Sequence, residues 1–213
     1  MCCNECPGGA LELSAKNMKT DDIFREIMKD SVFYKRGGGL TVSGGEPLMQ
    51  PQETMELLSL CKHNGVSTAI ETCGEFDGSI LPHLSEVCDY ILFDWKVSDP
   101  ELHRRCTGHS NENILRNLRL AASLNVKIIL RCIIIRGINT CNSHYDTIAS
   151  IASEIPQLLS IDLLPYHRYG AAKGIQLGLT DNTSEKLIPS AETLTYARER
   201  ISARLPGVTV YIK

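Results

Sequence analysis

Short apolar runs alternate along the chain with longer stretches whose apolar residues recur at helical spacing. The runs at 39–43, 66–72, 90–95, 126–135, 159–164 and 208–212 are brief and rich in β-branched residues, and they predict strands. The stretches at 51–64, 79–87, 111–124, 142–155 and 187–205 predict helices, and 20–29 predicts one more near the start. Gly65 and Pro156 stop two of these helices, and Asn111 stands where a cap is expected. The strands read as apolar on both faces. That order predicts a parallel sheet covered by helices, an α/β fold forming one domain from Glu12 onward.

Composition agrees with a soluble globular protein: 43% of the 213 residues are apolar and 22% charged. A net charge of −3 speaks against generic electrostatic binding of nucleic acid and leaves only a local patch to do it. The apolar stretch at 126–135 is broken by Lys127 and Arg131, and a bilayer needs roughly 20 apolar residues. With no signal peptide in the opening residues, the expectation is a cytoplasmic protein with no membrane partner. Nine cysteines, irregularly spaced after Cys6, fit a secreted disulfide scaffold poorly. Cys61, Cys88 and Cys132 are expected to pack as small hydrophobes, and Cys106 and Cys141 to lie in loops.

In a parallel α/β fold, chemistry collects at the carboxyl ends of the strands. The first strand is followed by Ser43-Gly44-Gly45-Glu46-Pro47, the second ends in Glu71-Thr72-Cys73-Gly74, and the third ends in Asp94-Trp95-Lys96. The fourth carries Arg131 in its interior, and the fifth ends in Pro165-Tyr166-His167. Each of these groups alone reads as readily as a cap or a rim salt bridge; five at one end suggest a bound polar ligand. Gly44 and Gly45 read either as a tight turn or as a place where a ligand approaches the backbone, with Glu46 beside it for a cationic amino group. Arg131 requires an anion, whether a ligand or Asp94, Glu71 or Glu46, and both answers can hold together. His167 reads as a ligand contact or as a satisfied core histidine.

Cys2-x3-Cys6-Pro7 looks like the tail of a bacterial ferredoxin-type motif, though its spacing alone equally allows a zinc site or no metal. The segment Gly37-Gly38-Gly39-Leu40-Thr41-Val42-Ser43-Gly44-Gly45-Glu46-Pro47 resembles its counterpart in glycyl-radical-enzyme activating enzymes. These are radical S-adenosylmethionine (SAM) proteins of the pyruvate formate-lyase activase type. Further matches follow in order: Glu71 to Gly74, Phe93 to Lys96, Thr107 to Asn111, Arg131 with Gly137, and Leu163 to His167.

The resemblance implies a partial (β/α)6 TIM-like barrel with S-adenosylmethionine across the strand ends. Gly44, Gly45 and Glu46 would hold the methionine amino group. Glu71, Thr72, Asp94, Lys96, Arg131 and His167 would contact the carboxylate or the ribose, or support those contacts. The family's C-x3-C-x2-C loop for the catalytic 4Fe-4S cluster has no counterpart in the chain. The resemblance therefore implies a barrel lacking its first strand and catalytic loop, which would lie upstream of Met1. Residues 1–11 would be the remnant of a ferredoxin-like insert, with Cys2 and Cys6 as accessory iron–sulfur ligands, and 12–213 the barrel.

The implied activity is formation of a glycyl radical on a partner enzyme such as pyruvate formate-lyase, with flavodoxin or ferredoxin as electron donor. Truncated in this way, the polypeptide is expected not to cleave S-adenosylmethionine alone. Other readings are an anaerobic ribonucleotide reductase activase or a deazapurine synthase, a non-catalytic S-adenosylmethionine-binding fragment, and a zinc protein.

Overall fold

The computed structural model describes residues 5–8, 10, 15–35, 37–169 and 184–213. Its strands are β1 (Gly39–Val42), β2 (Ser67–Thr72), β3 (Tyr90–Trp95), β4 (Lys127–Ile134), β5 (Leu158–Pro165) and β6 (Thr209–Ile212). They form one open sheet in the order β1-β2-β3-β4-β5-β6, with every neighbouring pair parallel. The helices are α1 (Thr20–Met28), α2 (Ser31–Tyr34), α3 (Pro51–His63), α4 (Leu81–Val87), α5 (Pro100–Thr107), α6 (Glu112–Ala122), α7 (Asn142–Ser153) and α8 (Ala191–Ser202). Sequential parallel neighbours joined by helices are the elements of a (β/α) barrel that has not closed. The expected partial barrel is the architecture that forms.

Each strand from β2 to β4 alternates strictly between a buried residue and a more accessible one. Ile70, Ile91, Phe93, Leu130 and Cys132 lie on the buried face and join the core with Leu58, Leu84, Leu118 and Ile148 of the helices. Full burial of one such side chain stabilises the fold by about 1.5–3 kcal/mol. The expectation of two apolar faces fails on the other side. There Glu71, Asp94, Arg131 and Asp162 stand half-buried. An open barrel does not seal its interior face, so that face tolerates charge as long as the charges meet one another.

Helix α5 was not predicted, because Pro100–Thr107 buries only His103 and shows no apolar stripe. Its ends were nevertheless legible. Asp99 accepts from the Leu102 amide at 2.7 Å, Pro100 opens the helix, and Gly108 closes it at φ 89°. Asn111 precedes α6 but makes no side-chain cap bond. It is buried instead and donates to the carbonyls of Val97 and Ser98, each at 2.9 Å. The last helix lies within the expected 187–205 and begins where Ser190 caps it by accepting from the Thr193 amide at 3.2 Å.

Helix α7 is tied to the loop after β3 by a polar chain. Trp95 Nε1 donates to Ser98 Oγ at 3.1 Å, and Ser98 Oγ lies 2.7 Å from His144 Nδ1. Burial pushes the His144 imidazole down to about 4. A histidine held neutral in the fold contributes stability above its unfolded pKa of about 6.5 and loses it as pH falls through the folded value. The free energy of unfolding from urea titration should therefore decline between about pH 6.5 and pH 4, at no more than about 1.4 kcal/mol per pH unit. A His144→Asn variant, which cannot titrate, should show a flatter profile over that window; an equal slope would count against this account.

Candidate functional site

The turn after β1 begins the site. Gly44 and Gly45 have φ of 95° and 57°, a region that side-chain-bearing residues seldom occupy. A Cβ at either position would meet no atom within 4 Å, so the backbone here is approachable from open space.

Glu46 follows and turns its carboxylate back into the protein. It accepts from the Leu48 amide at 3.2 Å, which caps the short turn Pro47–Met49. It also accepts from Thr72 Oγ1, at 2.8 and 2.9 Å to its two oxygens, and from the Cys73 amide at 2.8 Å. Thr72 Oγ1 in turn accepts from the Gly74 amide at 3.0 Å. The loop after β1 is thus fastened to the loop after β2 through one carboxylate. Gly74 is required by contact as well as by its φ of 80°, since a Cβ there would lie 2.4 Å from the Phe93 ring.

The second part of the site is a row of charges on the open face. Asp94, Arg131 and Asp162 are in register across β3, β4 and β5. Arg131 Nη1 lies 2.5 Å from Glu71 Oε1, Arg131 Nε 3.8 Å from Asp94 Oδ1, and Lys96 Nζ 3.4 Å from Asp94 Oδ2. Both anions expected for Arg131 on β2 and β3 are present, and Glu46 serves elsewhere. Burial raises the Asp94 carboxyl above its usual range; Lys96 and Arg131 pull it down, and Glu71 adds to the rise.

Arg131 also lines a concavity of about 770 Å³ with His167, Tyr169 and Lys213. His167 is exposed, with its ring 4.2 Å from that of Tyr169 and its Nδ1 accepting from the Tyr169 amide at 3.3 Å. Asp162 was not singled out from the sequence. It lies on the same face, its Oδ2 3.9 Å from Lys213 Nζ. Its signal was an isolated acid in the apolar run Leu158–Pro165, the same signal that marks Arg131 in β4.

Alternating cations and anions on the open face, at the same strand ends as an open glycine turn, suit a zwitterionic amino-acid ligand. S-adenosylmethionine fits that donor set: Arg131 and Lys96 match a carboxylate, and Glu71 and Asp94 match hydroxyls or an ammonium group. The cluster fares differently. Among the described residues, no three His, Cys, Asp or Glu side chains come together to hold a metal. Cys2 and Cys3 lie outside the described residues, and Cys6 is half-buried. Cys61, Cys88 and Cys132 are buried as expected, and burial pushes the Cys88 thiol up to about 12. Cys106 and Cys141 are exposed, the first within α5 rather than in a loop.

Residues 2–144 match the Radical SAM superfamily. The chain belongs to that superfamily, whose members use S-adenosylmethionine with a 4Fe-4S cluster, and within it to the activating enzymes of glycyl radical enzymes. It is 36% identical over 208 residues to the pyruvate formate-lyase 2-activating enzyme of Escherichia coli, covering 97% of this chain and 71% of that one. It is 34% identical over 203 residues to the indoleacetate decarboxylase activating enzyme of Tractidigestivibacter scatoligenes, covering 95% and 64%. It is 36% identical over 176 residues to the isethionate sulfite-lyase activating enzyme of Nitratidesulfovibrio vulgaris, covering 81% and 57%. The chain thus spans less than two thirds of the latter two. Among solved structures, a domain of pyruvate-formate lyase-activating enzyme from Bacteroides vulgatus superposes with a TM-score of 0.69 at 26% identity, covering 83% of this chain and 99% of that one.

Removing the guanidinium leaves Glu71 without its cation and Asp94 with Lys96 alone. Arg131→Met should therefore cost about 2 kcal/mol of stability, less than for a fully buried pair because the side chain keeps some solvent. Adding Glu71→Gln should recover part of that loss. Strictly additive losses in chemical denaturation would show that the two side chains do not interact.

Proposed function

We propose that this chain binds S-adenosylmethionine across the ends of β1 to β5 and belongs to an activase that places a glycyl radical on a partner enzyme. One observation carries the reading: Glu71, Asp94, Lys96 and Arg131 form a single alternating-charge network on the open face, at the same strand ends as the Gly44–Gly45 turn. The turn admits the ligand's amino group to the backbone. Glu46 and Thr72 hold the turn in place and do not compete for the ligand, because most of the carboxylate's acceptor capacity is already in use. Arg131 and Lys96 take the carboxylate, Asp94 and Glu71 the ribose hydroxyls or the ammonium group, and His167 closes the far side of the concavity.

Bound in this way, S-adenosylmethionine supplies the hydrogen-abstracting chemistry, and the protein's part is orientation and exclusion of water. The charge network supports the ligand end of that reading, and among the described residues no group of three His, Cys, Asp or Glu side chains stands ready for the cluster end. Residues 1–11 are read as the end of a cluster-binding insert, with Cys2 and Cys6 as its ligands and flavodoxin or ferredoxin as the electron donor. The protein partner is a glycyl radical enzyme, the class to which the matching activases point. Among the described residues, no helix is long and apolar enough to cross a membrane.

Isothermal titration with S-adenosylmethionine should show one site per chain. Arg131→Met should weaken it at least about tenfold, the loss of roughly 1.4 kcal/mol expected of a charge-assisted contact. Gly45→Val, whose side chain would enter the open space over the turn, should weaken it by a similar factor. Absence of binding by the wild-type chain would sink the reading. Binding together with 5′-deoxyadenosine formation after anaerobic reconstitution would overturn the expectation that this polypeptide does not cleave the ligand alone.

A further inference from the structure

The β3–β4 ladder ends at the pair Trp95↔Cys132. One step further the carbonyls of Lys96 and Ile133 face the same gap, and two acceptors cannot bond each other. Asn139, in the turn after β4 and 1% exposed, fills it. Its amide nitrogen donates to Lys96 O at 2.7 Å and to Ile133 O at 2.8 Å, and its amide oxygen accepts from the Ile135 amide at 2.7 Å. One side chain therefore supplies an extra rung directly above the row that holds Asp94 and Arg131. Both amide hydrogens are used, and no other side chain of this size offers two donors and an acceptor without charge.

We propose that Asn139 is a positioning residue for the ligand cradle. By bridging Lys96 and Ile133 it sets the separation between the Asp94–Lys96 arm on β3 and Arg131 on β4. The inference rests on the reading of the cradle as the S-adenosylmethionine site. Asn111 provides the internal comparison. It is equally buried and donates to two carbonyls at similar distances, but both belong to the loop after β3, so it spans no gap between strands.

The test titrates S-adenosylmethionine into the wild type, Asn139→Asp, Asn139→Ser and Asn111→Asp, with a melting curve for each. Asn139→Asp replaces both donors with acceptors while keeping the shape. It should weaken binding at least about tenfold at about pH 8, whereas Asn111→Asp should stay within about threefold despite a comparable fall in melting temperature. The deficit of Asn139→Asp relative to wild type should narrow at about pH 6, where the introduced carboxyl takes up a proton and regains one donor. The ionisable groups around that position are Lys96 just after β3, Asp94 and Arg131 in the row below, Asp99 ahead of α5, and Cys141 and His144 at the start of α7. They are common to all four proteins, so each variant is compared in the same charged surroundings.

If Asn139→Asp does not fold, Asn139→Ser, uncharged and with one donor, carries the test with an expected loss of at least about threefold. Equal losses in the Asn139 and Asn111 variants, or wild-type affinity in the serine variant, would overturn the positioning role and leave the cradle standing. No binding by the wild type would instead overturn the cradle itself.

Discussion

An arginine within an apolar strand of a parallel sheet is tolerable only where anions meet it, and that requirement shapes the open face of this protein. Arg131 reaches Glu71 on β2 and stands in register with Asp94 on β3. A one-residue slip of either neighbouring strand would turn its acid to the apolar side and away from Arg131. The ion network therefore fixes strand register as firmly as the core does from the other face. It also accounts for the openness of the barrel interior: such a row is affordable half-solvated and would be costly if sealed.

Above that row the strand ends need rigid loops, and the chain supplies them with uncharged or internally satisfied groups. Glu46 fastens the loops after β1 and β2. Asn117 donates to Gly74 O and Phe76 O, Asn111 to the loop after β3, and Asn139 joins the ends of β3 and β4. Each buried asparagine satisfies two carbonyls that have no ladder partner, which removes the desolvation cost those carbonyls would otherwise carry. The charges of the open face are thereby left to partner one another.

The strands and their order were legible because a buried parallel sheet demands short β-branched runs, and six of them stand out. The glycine turn and Arg131 were legible for a related reason: both violate their local pattern, and such violations mark function or strain. Helix α5 leaves no periodic signal because its stability comes from its caps and from one buried histidine rather than from an apolar stripe. A lone acid such as Asp162 gains meaning only from its cross-strand neighbour. Asn111 has the position of a cap, yet the adjacent loop offers it two carbonyls that its amide satisfies instead.

The sequence by itself determined the fold class, the order of the elements and most of the polar residues delivered to one rim, since these follow from local periodicity and from the direction of a parallel strand. Only the tertiary structure decided how those residues divide the work: Glu46 and Thr72 inward as a fastening, Glu71, Asp94, Lys96 and Arg131 outward as a network, and Asn139 as the rung between them. That division depends on distances between strands far apart in the chain, and no local pattern encodes them.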